Sequence, residues 1–404
     1  MTATSSETDS IIELIERVGA HNYAPLPVVL TRAEGVWAWD VEGKRYLDCL
    51  SAYSSVNQGH RHPRIVAALI EQVNRLTLTS RAFYNDCMGP FLELLCSTAD
   101  METALPMNTG AEAVETAIKL ARKWGYEVRN VPRDRAEIIV CRNNFHGRTT
   151  TIVGFSTDPV ARDGFGPFAP GFTLIDFDDI DALEAAITPN TVAFLVEPIQ
   201  AEAGIIVPRT GFLTQARRLC AAHDVLFMLD EIQTGLGRTG KLFDHHHEPD
   251  AKPDVMMVGK ALGGGIYPVS AVLARADVMA VIRPGSHGST FGGNPLAAAV
   301  GKSALEVLLE ERLSERAEAL GNELLTRLQD RDFACVRSVR GRGLLIGIEI
   351  DRKAGPARAF CERLLELGVL CKDTHEQVIR LAPPLTLETE HMEWLLSRIG
   401  EAFA

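Results

Sequence analysis

The sequence lacks the features that mark a membrane protein or an exported one. No apolar run approaches the roughly 20 residues that a membrane-spanning helix needs. The first ten residues are polar and acidic, without the apolar core of a signal peptide or the arginines of a transit peptide. We therefore expect residues 1–10 to form a disordered tail and the protein to be cytoplasmic.

Paired cysteine motifs are also missing. Eight cysteines are scattered over 404 residues, and none belongs to a CxxC pair. Zinc ribbons and thioredoxin-like motifs are therefore unsupported, and the pattern is typical of a reduced compartment. Residues 245–247 are three histidines, but no second pair of ligands accompanies them. We interpret this run as a solvated loop and predict no metal site.

An excess of positive charge is absent as well. Lysine and arginine together number 41 against 53 for aspartate and glutamate, so the formal net charge is −12. This argues against a general surface for nucleic acid or an anionic membrane, although local arginines could still bind a small anionic substrate. The length and the 46% hydrophobic content predict a globular protein with two domains.

A lysine after a short apolar run is the first candidate for chemistry. Residues 255–258 are valine and methionine only, which predicts a buried strand, and Lys260 follows two positions later. Burial near apolar walls would lower the pKa of this amine and make it nucleophilic. Such an amine can form a Schiff base with an aldehyde cofactor. The alternative is a surface lysine that opens a loop.

A carboxylate is predicted to lie opposite this lysine. Asp230 follows the apolar run 225–229 as Lys260 follows its own run. The carboxyl ends of parallel strands open into one crevice. Pyridoxal phosphate chemistry requires a lysine on the aldehyde carbon and an acid on the pyridine nitrogen. The two residues therefore predict a pyridoxal phosphate site, and the alternative is an ion pair at a sheet edge.

Strands and helices alternate through the middle of the chain. Apolar runs near residues 137, 191, 225 and 255 are separated by helical segments, which predicts an α/β fold with a doubly wound, mostly parallel sheet. We expect a large cofactor-binding domain at residues 51–304. A smaller α+β domain at residues 305–404, beginning with a long charged helix to about residue 328, is expected to pack with the N-terminal segment 1–50.

Two smaller motifs could bind parts of a cofactor or substrate. Thr109 and Gly110 precede a helix, where free N–H groups and the helix dipole favour a phosphate. The alternative is an ordinary helix cap. Phe145 could stack on a flat ring and Arg148 could bind a carboxylate. Otherwise Phe145 belongs to the core and Arg148 to a surface ion pair.

Longer motifs resemble those of class III, fold-type I pyridoxal-phosphate aminotransferases, and among them most closely the ornithine branch. The resemblance extends from about Asn22 to the last helix. The matching runs are residues 22–28, 53–60, 76–85, 106–110, 230–235, 259–262 and 380–385. Two positions depart from the animal members of the branch, because His146 stands where they carry tryptophan and Ala201 where they carry glycine.

The resemblance implies a role for each candidate residue. Lys260 would attach the cofactor and move the proton, and Asp230 would pair with the ring nitrogen. The other cofactor contacts that it implies are Thr109, Gly110 and Ala111 at the phosphate, Phe145 and Ile232 on the two ring faces, and Gln233 at the ring hydroxyl. Ser289 and Thr290 would reach the phosphate of a neighbouring subunit. The substrate pocket that it implies consists of Tyr23, Tyr53, Arg148, Glu202 and Arg380.

The reaction implied is transfer of the δ-amino group of ornithine to 2-oxoglutarate by a homodimer with shared sites. The products would be glutamate 5-semialdehyde, which cyclises to pyrroline-5-carboxylate, and glutamate. An ω-aminotransferase for acetylornithine, 4-aminobutyrate or lysine is an alternative, as are an aminomutase or a racemase. A non-catalytic binding protein on the same scaffold is a further alternative. Pairing of Glu202 with Arg380 is expected to mask that arginine while ornithine binds.

Overall fold

The computed structural model describes residues 6–404, and a seven-stranded sheet lies at its centre. In chain order the strands are β1 (Leu30–Glu34), β2 (Trp37–Asp40), β3 (Arg45–Asp48), β4 (Thr103–Met107), β5 (Glu137–Cys141), β6 (Phe172–Ile175), β7 (Thr191–Val196), β8 (Leu226–Asp230), β9 (Val255–Val258), β10 (Ser270–Ala274), β11 (Val336–Arg342), β12 (Leu345–Ile350), β13 (Val369–Leu370), β14 (Lys372–Thr374) and β15 (Val378–Leu381).

Helices cover both faces of the central sheet and form much of the remaining structure. In chain order they are α1 (Glu7–Val18), the short turn α2 (Ser51–Ser54), α3 (Pro63–Val73), α4 (Met88–Thr98), α5 (Gly110–Glu127), α6 (Thr150–Gly154), α7 (Pro159–Arg162), α8 (Ile180–Ala186), α9 (Phe212–Ala222), α10 (Ala276–Met279), α11 (Pro295–Glu310), α12 (Leu313–Gln329), α13 (Ala357–Glu366) and α14 (Thr389–Phe403). Short 3-10 helices cover Asp244–His247, Pro249–Ala251, Lys260–Gly263 and Arg352–Ala354.

The central sheet has the order β4-β10-β9-β8-β7-β5-β6. Its strands from β9 to β6 are parallel to one another, while β10 runs antiparallel to both β9 and β4. Strands β7, β8 and β9 are buried along their whole length, because their continuous apolar runs are covered on both faces. The α/β expectation is confirmed, and the antiparallel strand β10 is an element that the alternation did not predict.

Helix α5 packs closely on this sheet. Its buried residues recur every three or four positions, as in Val114, Ala117 and Ala121, and form an apolar stripe. Near the end of the helix, a Cβ on Gly125 would lie only 2.2 Å from the Cγ1 of Val192 in β7. The glycine therefore permits the helix to approach the strand, and this approach fixes the helix whose first turn borders the site.

Two smaller four-stranded sheets complete the fold, and one of them joins the two ends of the chain. The first has the order β1-β2-β3-β13, and the second has the order β11-β12-β15-β14. Strands β2 and β3 pair antiparallel and form a hairpin within the first sheet. Leu47 in β3 pairs with Val369 in β13, so the N-terminal strands lie in one sheet with a C-terminal strand.

Three local predictions were wrong. Residues 7–10 are helical because Ser6 and Asp9 form a capping box at the start of α1; residues 1–5 lie outside the described residues. The single charged helix is two helices, since Arg312 between α11 and α12 has a left-handed backbone with φ 51°. The three histidines are not a solvated loop, because His245 is buried and its Nδ1 lies 3.0 Å from Glu231 Oε1.

No helix within residues 6–404 is long and apolar enough to cross a membrane. The same residues contain no group of three or more histidine, cysteine, aspartate or glutamate side chains arranged to hold a metal ion.

Candidate active site

A cavity of about 220 Å³ opens where β7, β8 and β9 end side by side. The chain leaves each of these strands at the same edge of the sheet, so polar residues distant in sequence meet there. The cavity is lined by Gly110, Ala111, Phe145, His146, Gly147, Glu197, Ile199, Asp230, Ile232, Gln233, Thr234 and Lys260. Most of the predicted cofactor residues are therefore brought together.

Lys260 lines this cavity from the short 3-10 helix that follows β9. Burial lowers the pKa of its ammonium below the usual 10.5, and the nearby carboxylates of Glu202 and Asp230 oppose that effect. The residue also has a left-handed backbone with φ 45°. Lys260 is only partly buried, and the predicted lowering of its pKa is present.

Asp230 faces the same cavity from the end of β8 and is almost completely buried. One carboxylate oxygen, Oδ1, accepts a hydrogen bond from the backbone N–H of Ile232 at 3.1 Å. The other oxygen lies 2.7 Å from Nδ1 of His146, whose ring is buried. Both oxygens are thus held, and the carboxylate has a fixed orientation toward the cavity.

Glu197 is a buried cavity residue that the sequence reasoning did not select. Its Oε2 accepts a hydrogen bond from the backbone N–H of Phe145 at 3.0 Å. Burial, followed by the neighbouring charge of Asp230, raises its pKa well above the ordinary value for glutamate. The available signal was its place directly after the apolar run of β7, as Asp230 follows the apolar run 225–229.

Two apolar side chains border the space between these polar groups. Phe145 follows β5, and Ile232 follows Asp230. Ile232 packs so closely on Gly110 that a Cβ there would lie 3.1 Å from its Cδ1. The guanidinium carbon of Arg148 lies 5.6 Å from the centre of the Phe145 ring, which identifies this arginine as a neighbour of the cavity.

The first turn of α5 forms another wall. Thr109 caps this helix: its Oγ1 accepts a hydrogen bond from the N–H of Glu112, and Glu112 Oε2 accepts one from the N–H of Thr109. The ordinary helix cap, offered as the alternative for Thr109, is therefore observed. Gly110 and Ala111 border the cavity with the positive end of the helix dipole.

Ser289 and Thr290 do not line the cavity of their own chain. Ser289 Oγ accepts hydrogen bonds from Asn108 Nδ2 and from the N–H of Gly292, both at 3.0 Å. Thr290 is exposed. The loop is thus anchored beside the first turn of α5 but presents its threonine outward.

Glu202 and Arg380 form an ion pair beside this cavity, as expected. Arg380 is 1% exposed, and Gln233 contacts both members, with Nε2 at 3.3 Å from Glu202 and Oε1 at 3.4 Å from Arg380. Burial alone would raise the pKa of Glu202, but the charge and hydrogen bond of Arg380 hold it below its ordinary value. The carboxylate is therefore ionised and masks the arginine.

The two tyrosines differ in their positions. Tyr53 is partly buried, with the guanidinium carbon of Arg380 4.9 Å from its ring centre. A second cavity of about 340 Å³ shares Gly110 and Lys260 with the first and is bordered by Ala52, the neighbour of Tyr53. Tyr23 is 62% exposed and lies under the ammonium of Lys372, outside both cavities.

The geometry defines a class of enzyme: a lysine that lines a cavity, a fixed carboxylate and two apolar side chains at the carboxyl edge of a parallel sheet. The model of the aminotransferase class-III family matches residues 18–403, and the chain belongs to that family. Pyridoxal phosphate is the cofactor of this class. The residues fit it, since Lys260 can hold an aldehyde and Asp230 a protonated ring nitrogen.

Several relatives carry more specific names. The ornithine aminotransferase of Bordetella pertussis is 57% identical over 389 residues, which is 96% of this chain and 94% of that protein. A solved ornithine aminotransferase of Toxoplasma gondii, with partial occupancy of PLP at its active site, has a TM-score of 0.96 at 46% identity and covers 98% of this chain and 94% of that one. The acetylornithine aminotransferase of Elizabethkingia anophelis has a TM-score of 0.90 at 50% identity and covers 99% of each chain.

Proposed function

We propose that the protein transfers the δ-amino group of L-ornithine to 2-oxoglutarate with pyridoxal phosphate as cofactor. The products are glutamate 5-semialdehyde, which cyclises to pyrroline-5-carboxylate, and glutamate. The observation that carries this proposal is the Glu202–Arg380 pair beside Lys260 and Asp230. The ornithine aminotransferases that match the whole chain support it independently.

The cofactor supplies an aldehyde carbon for attachment and a ring that accepts electrons from the reacting carbon. Lys260 would hold that carbon, and Asp230 would keep the ring nitrogen protonated. Phe145 and Ile232 would cover the two ring faces, with Gln233 at the ring hydroxyl. The phosphate contacts in this proposal are Thr109, Gly110 and Ala111, together with Ser289 and Thr290 of a second subunit.

Lys260 would also move the proton during the reaction. Its lowered pKa supports this role, because a neutral amine can accept a proton from the substrate carbon at lower pH than an ordinary lysine. The carboxylates of Glu202 and Asp230 favour the resulting ammonium, so the same environment supports both states.

Glu202 would act as a gate between the two substrates. Ornithine presents a δ-carbon that bears no carboxylate, and 2-oxoglutarate presents an α-carbon beside one. With Arg380 masked by Glu202, ornithine would bind by its amino acid end through Arg148, Tyr23 and Tyr53. When 2-oxoglutarate enters, its α-carboxylate would replace Glu202 on Arg380, and Arg148 would take the distal carboxylate. Tyr23 is exposed in the single chain.

A homodimer with shared sites belongs to this proposal. Thr290 and its neighbour Phe291 are exposed, and so are Phe83 and Tyr84 on the segment that donates a hydrogen bond from Asn85 to Gly293. Large exposed aromatic side chains on one surface are typical of an interface. A second copy covering them would bring Ser289 and Thr290 near its own phosphate contacts.

A domain division and a location complete the proposal. A large domain at residues 51–304 is supported by the central sheet, whose strands all lie between residues 103 and 274. The segment 1–50 and a domain at 305–404 are supported by the two smaller sheets. A cytoplasmic location is supported by all eight cysteines being free.

A substrate screen with 2-oxoglutarate tests the function. Ornithine, acetylornithine, 4-aminobutyrate and lysine are compared at equal concentration, with glutamate measured in every case and pyrroline-5-carboxylate with ornithine. We expect ornithine to have the highest kcat/KM. A higher value for acetylornithine would replace the proposal with that alternative, which the similarity to an acetylornithine aminotransferase makes the relevant competitor.

A further inference from the structure

Four consecutive residues before α3 have a left-handed backbone although none is glycine. The φ angles of Ser51, Ala52, Tyr53 and Ser54 are 50°, 46°, 60° and 70°. In this region the Cβ atom crowds the following carbonyl oxygen, so residues with side chains adopt it singly and seldom in a run. A run of four must be held by its surroundings, and such segments concentrate at functional sites.

Asp48 holds the start of this turn. Its Oδ1 accepts hydrogen bonds from the N–H groups of Leu50 at 2.9 Å and Ser51 at 2.8 Å. Its Oδ2 lies 2.7 Å from Nε2 of His60, which fixes the carboxylate from the other side. Asp48 is 6% exposed, so water competes little for these contacts.

The turn also connects Tyr53 to the strand that carries Arg380. The N–H of Tyr53 donates to the carbonyl of Leu50 at 3.0 Å, within the turn. The carbonyl of Cys49, next to Asp48, accepts a hydrogen bond from the N–H of Ala382 at 2.7 Å. Ala382 follows Arg380 by two residues, and the guanidinium of Arg380 lies over the Tyr53 ring.

We propose that Asp48 and His60 are positioning residues for the substrate pocket. By holding the left-handed turn, they keep Tyr53 against Arg380, where its hydroxyl can contact the α-amino acid end of ornithine. Without them the backbone relaxes toward right-handed or extended angles, and Tyr53 moves away. The identity of the substrate rests on the proposed function, whereas the holding of the turn rests on its geometry alone.

The selectivity of the enzyme between two amino-donor substrates shows whether Tyr53 is held in place. Ornithine and 5-aminopentanoate have the same chain length, but only ornithine carries an α-amino group. In Asp48→Ala we expect the ratio of kcat/KM for ornithine to that for 5-aminopentanoate to fall about tenfold, as for loss of one substrate hydrogen bond. The change should lie mainly in the KM for ornithine. Asp48→Asn keeps an acceptor oxygen for the two N–H groups and should restore most of the ratio.

Asp40, the last residue of β2, provides a matched control on the strand that pairs with β3. It is also buried, its Oδ1 accepts the N–H groups of Glu42 and Lys44, and its Oδ2 accepts the hydroxyl of Tyr46. Asp40→Ala should therefore destabilise the fold to a similar extent without changing the donor ratio. If Asp48→Ala does not fold, His60→Ala tests the same point, with His60→Gln as the variant that retains a donor.

Hydrogen exchange of residues 50–56 tests the turn without any substrate. Exchange should be faster in Asp48→Ala than in the wild type and unchanged in Asp40→Ala. Unchanged exchange in Asp48→Ala would overturn the role of Asp48 in holding the turn. Faster exchange with an unchanged donor ratio would overturn the positioning of Tyr53. A wild-type protein that does not use ornithine, with exchange as expected, would instead contradict the proposed function and leave the turn supported.

Discussion

At the scale of single residues, Lys260 links the chemistry of the site to the stability of the folded protein. Its pKa is lowered by burial, so between that lowered value and the ordinary 10.5 the unfolded chain binds more protons than the folded one. The free energy of unfolding of the cofactor-free protein therefore rises with pH through this window. Below the window, the buried ammonium destabilises the fold.

Replacing this ammonium with an apolar group tests whether Lys260 causes the pH dependence of stability. Cofactor-free Lys260→Met should be more stable than the cofactor-free wild type near pH 7, and the difference should shrink as the pH approaches 10.5. Urea unfolding of both proteins at several pH values measures it. A difference that stays constant with pH would show that the lysine is not destabilised by burial.

In the proposed reaction, Glu202 would determine which amine of ornithine reacts. Glu202→Gln removes the charge that masks Arg380 and keeps the size of the side chain. We expect the ratio of δ- to α-transamination of ornithine to fall roughly ten- to hundredfold, the range for loss of a charge-assisted hydrogen bond. The products of δ- and α-transamination are separated by chromatography and quantified.

The control for this prediction is another buried carboxylate paired with arginine. Asp254 lies before β9, at the opposite end of the sheet, and contacts Arg217 and Arg275. Asp254→Asn should lower stability and leave the δ to α ratio unchanged. If Glu202→Gln also leaves the ratio unchanged, the ion pair is a static bridge and not a gate.

At the scale of elements, the contact between α5 and β7 should be intolerant of one methyl group. Gly125→Ala places a Cβ 2.2 Å from Val192, which forces the helix or the strand to shift. We expect a loss of about 1–3 kcal/mol in the free energy of unfolding, the usual cost of overpacking. Gly89→Ala in α4 meets no atom within 4 Å and should be neutral or stabilising by up to about 1 kcal/mol. Equal effects of the two substitutions on the urea midpoint would contradict the close packing.

The sequence predicted those elements whose signal is local. Continuous apolar runs followed by polar residues located β8 and β9, and therefore the meeting of Asp230 with Lys260. The antiparallel direction of β10 depends on pairing with β4 and β9, which no local pattern contains. The left-handed turn at α2 depends in the same way on the carboxylate of Asp48 and on a contact with Ala382, which follows the distant strand β15.

At the scale of the whole molecule, the site combines distant parts of the chain. Glu202 follows a strand of the central sheet, and Arg380 lies in β15 of a smaller sheet. Tyr53 precedes both by well over a hundred residues, and the turn brings its ring to Arg380. The roles of site residues that come from different sheets could be proposed from the family resemblance. The contacts that hold those residues in place, such as Asp48 with His60, could be identified only from the structure.

The largest scale is the proposed dimer, in which the exposed Thr290 of one subunit would complete the phosphate contacts of the other. Lys260→Ala removes the lysine of one subunit, and Thr290→Glu places a negative charge where the partner's phosphate would lie, so each homodimer should be inactive. In a hybrid, both lesions would fall in one site and the other site would be intact. After equal mixing with free exchange, about one quarter of the wild-type activity should return, since half of the dimers are hybrids with one working site of two. Mixing Lys260→Ala with Asp230→Ala is the control, because both residues face the cavity of their own subunit and every hybrid site carries a lesion. If subunit exchange is demonstrated by mass and the first mixture recovers no more activity than the second, the loop acts in its own subunit and the sites are not shared.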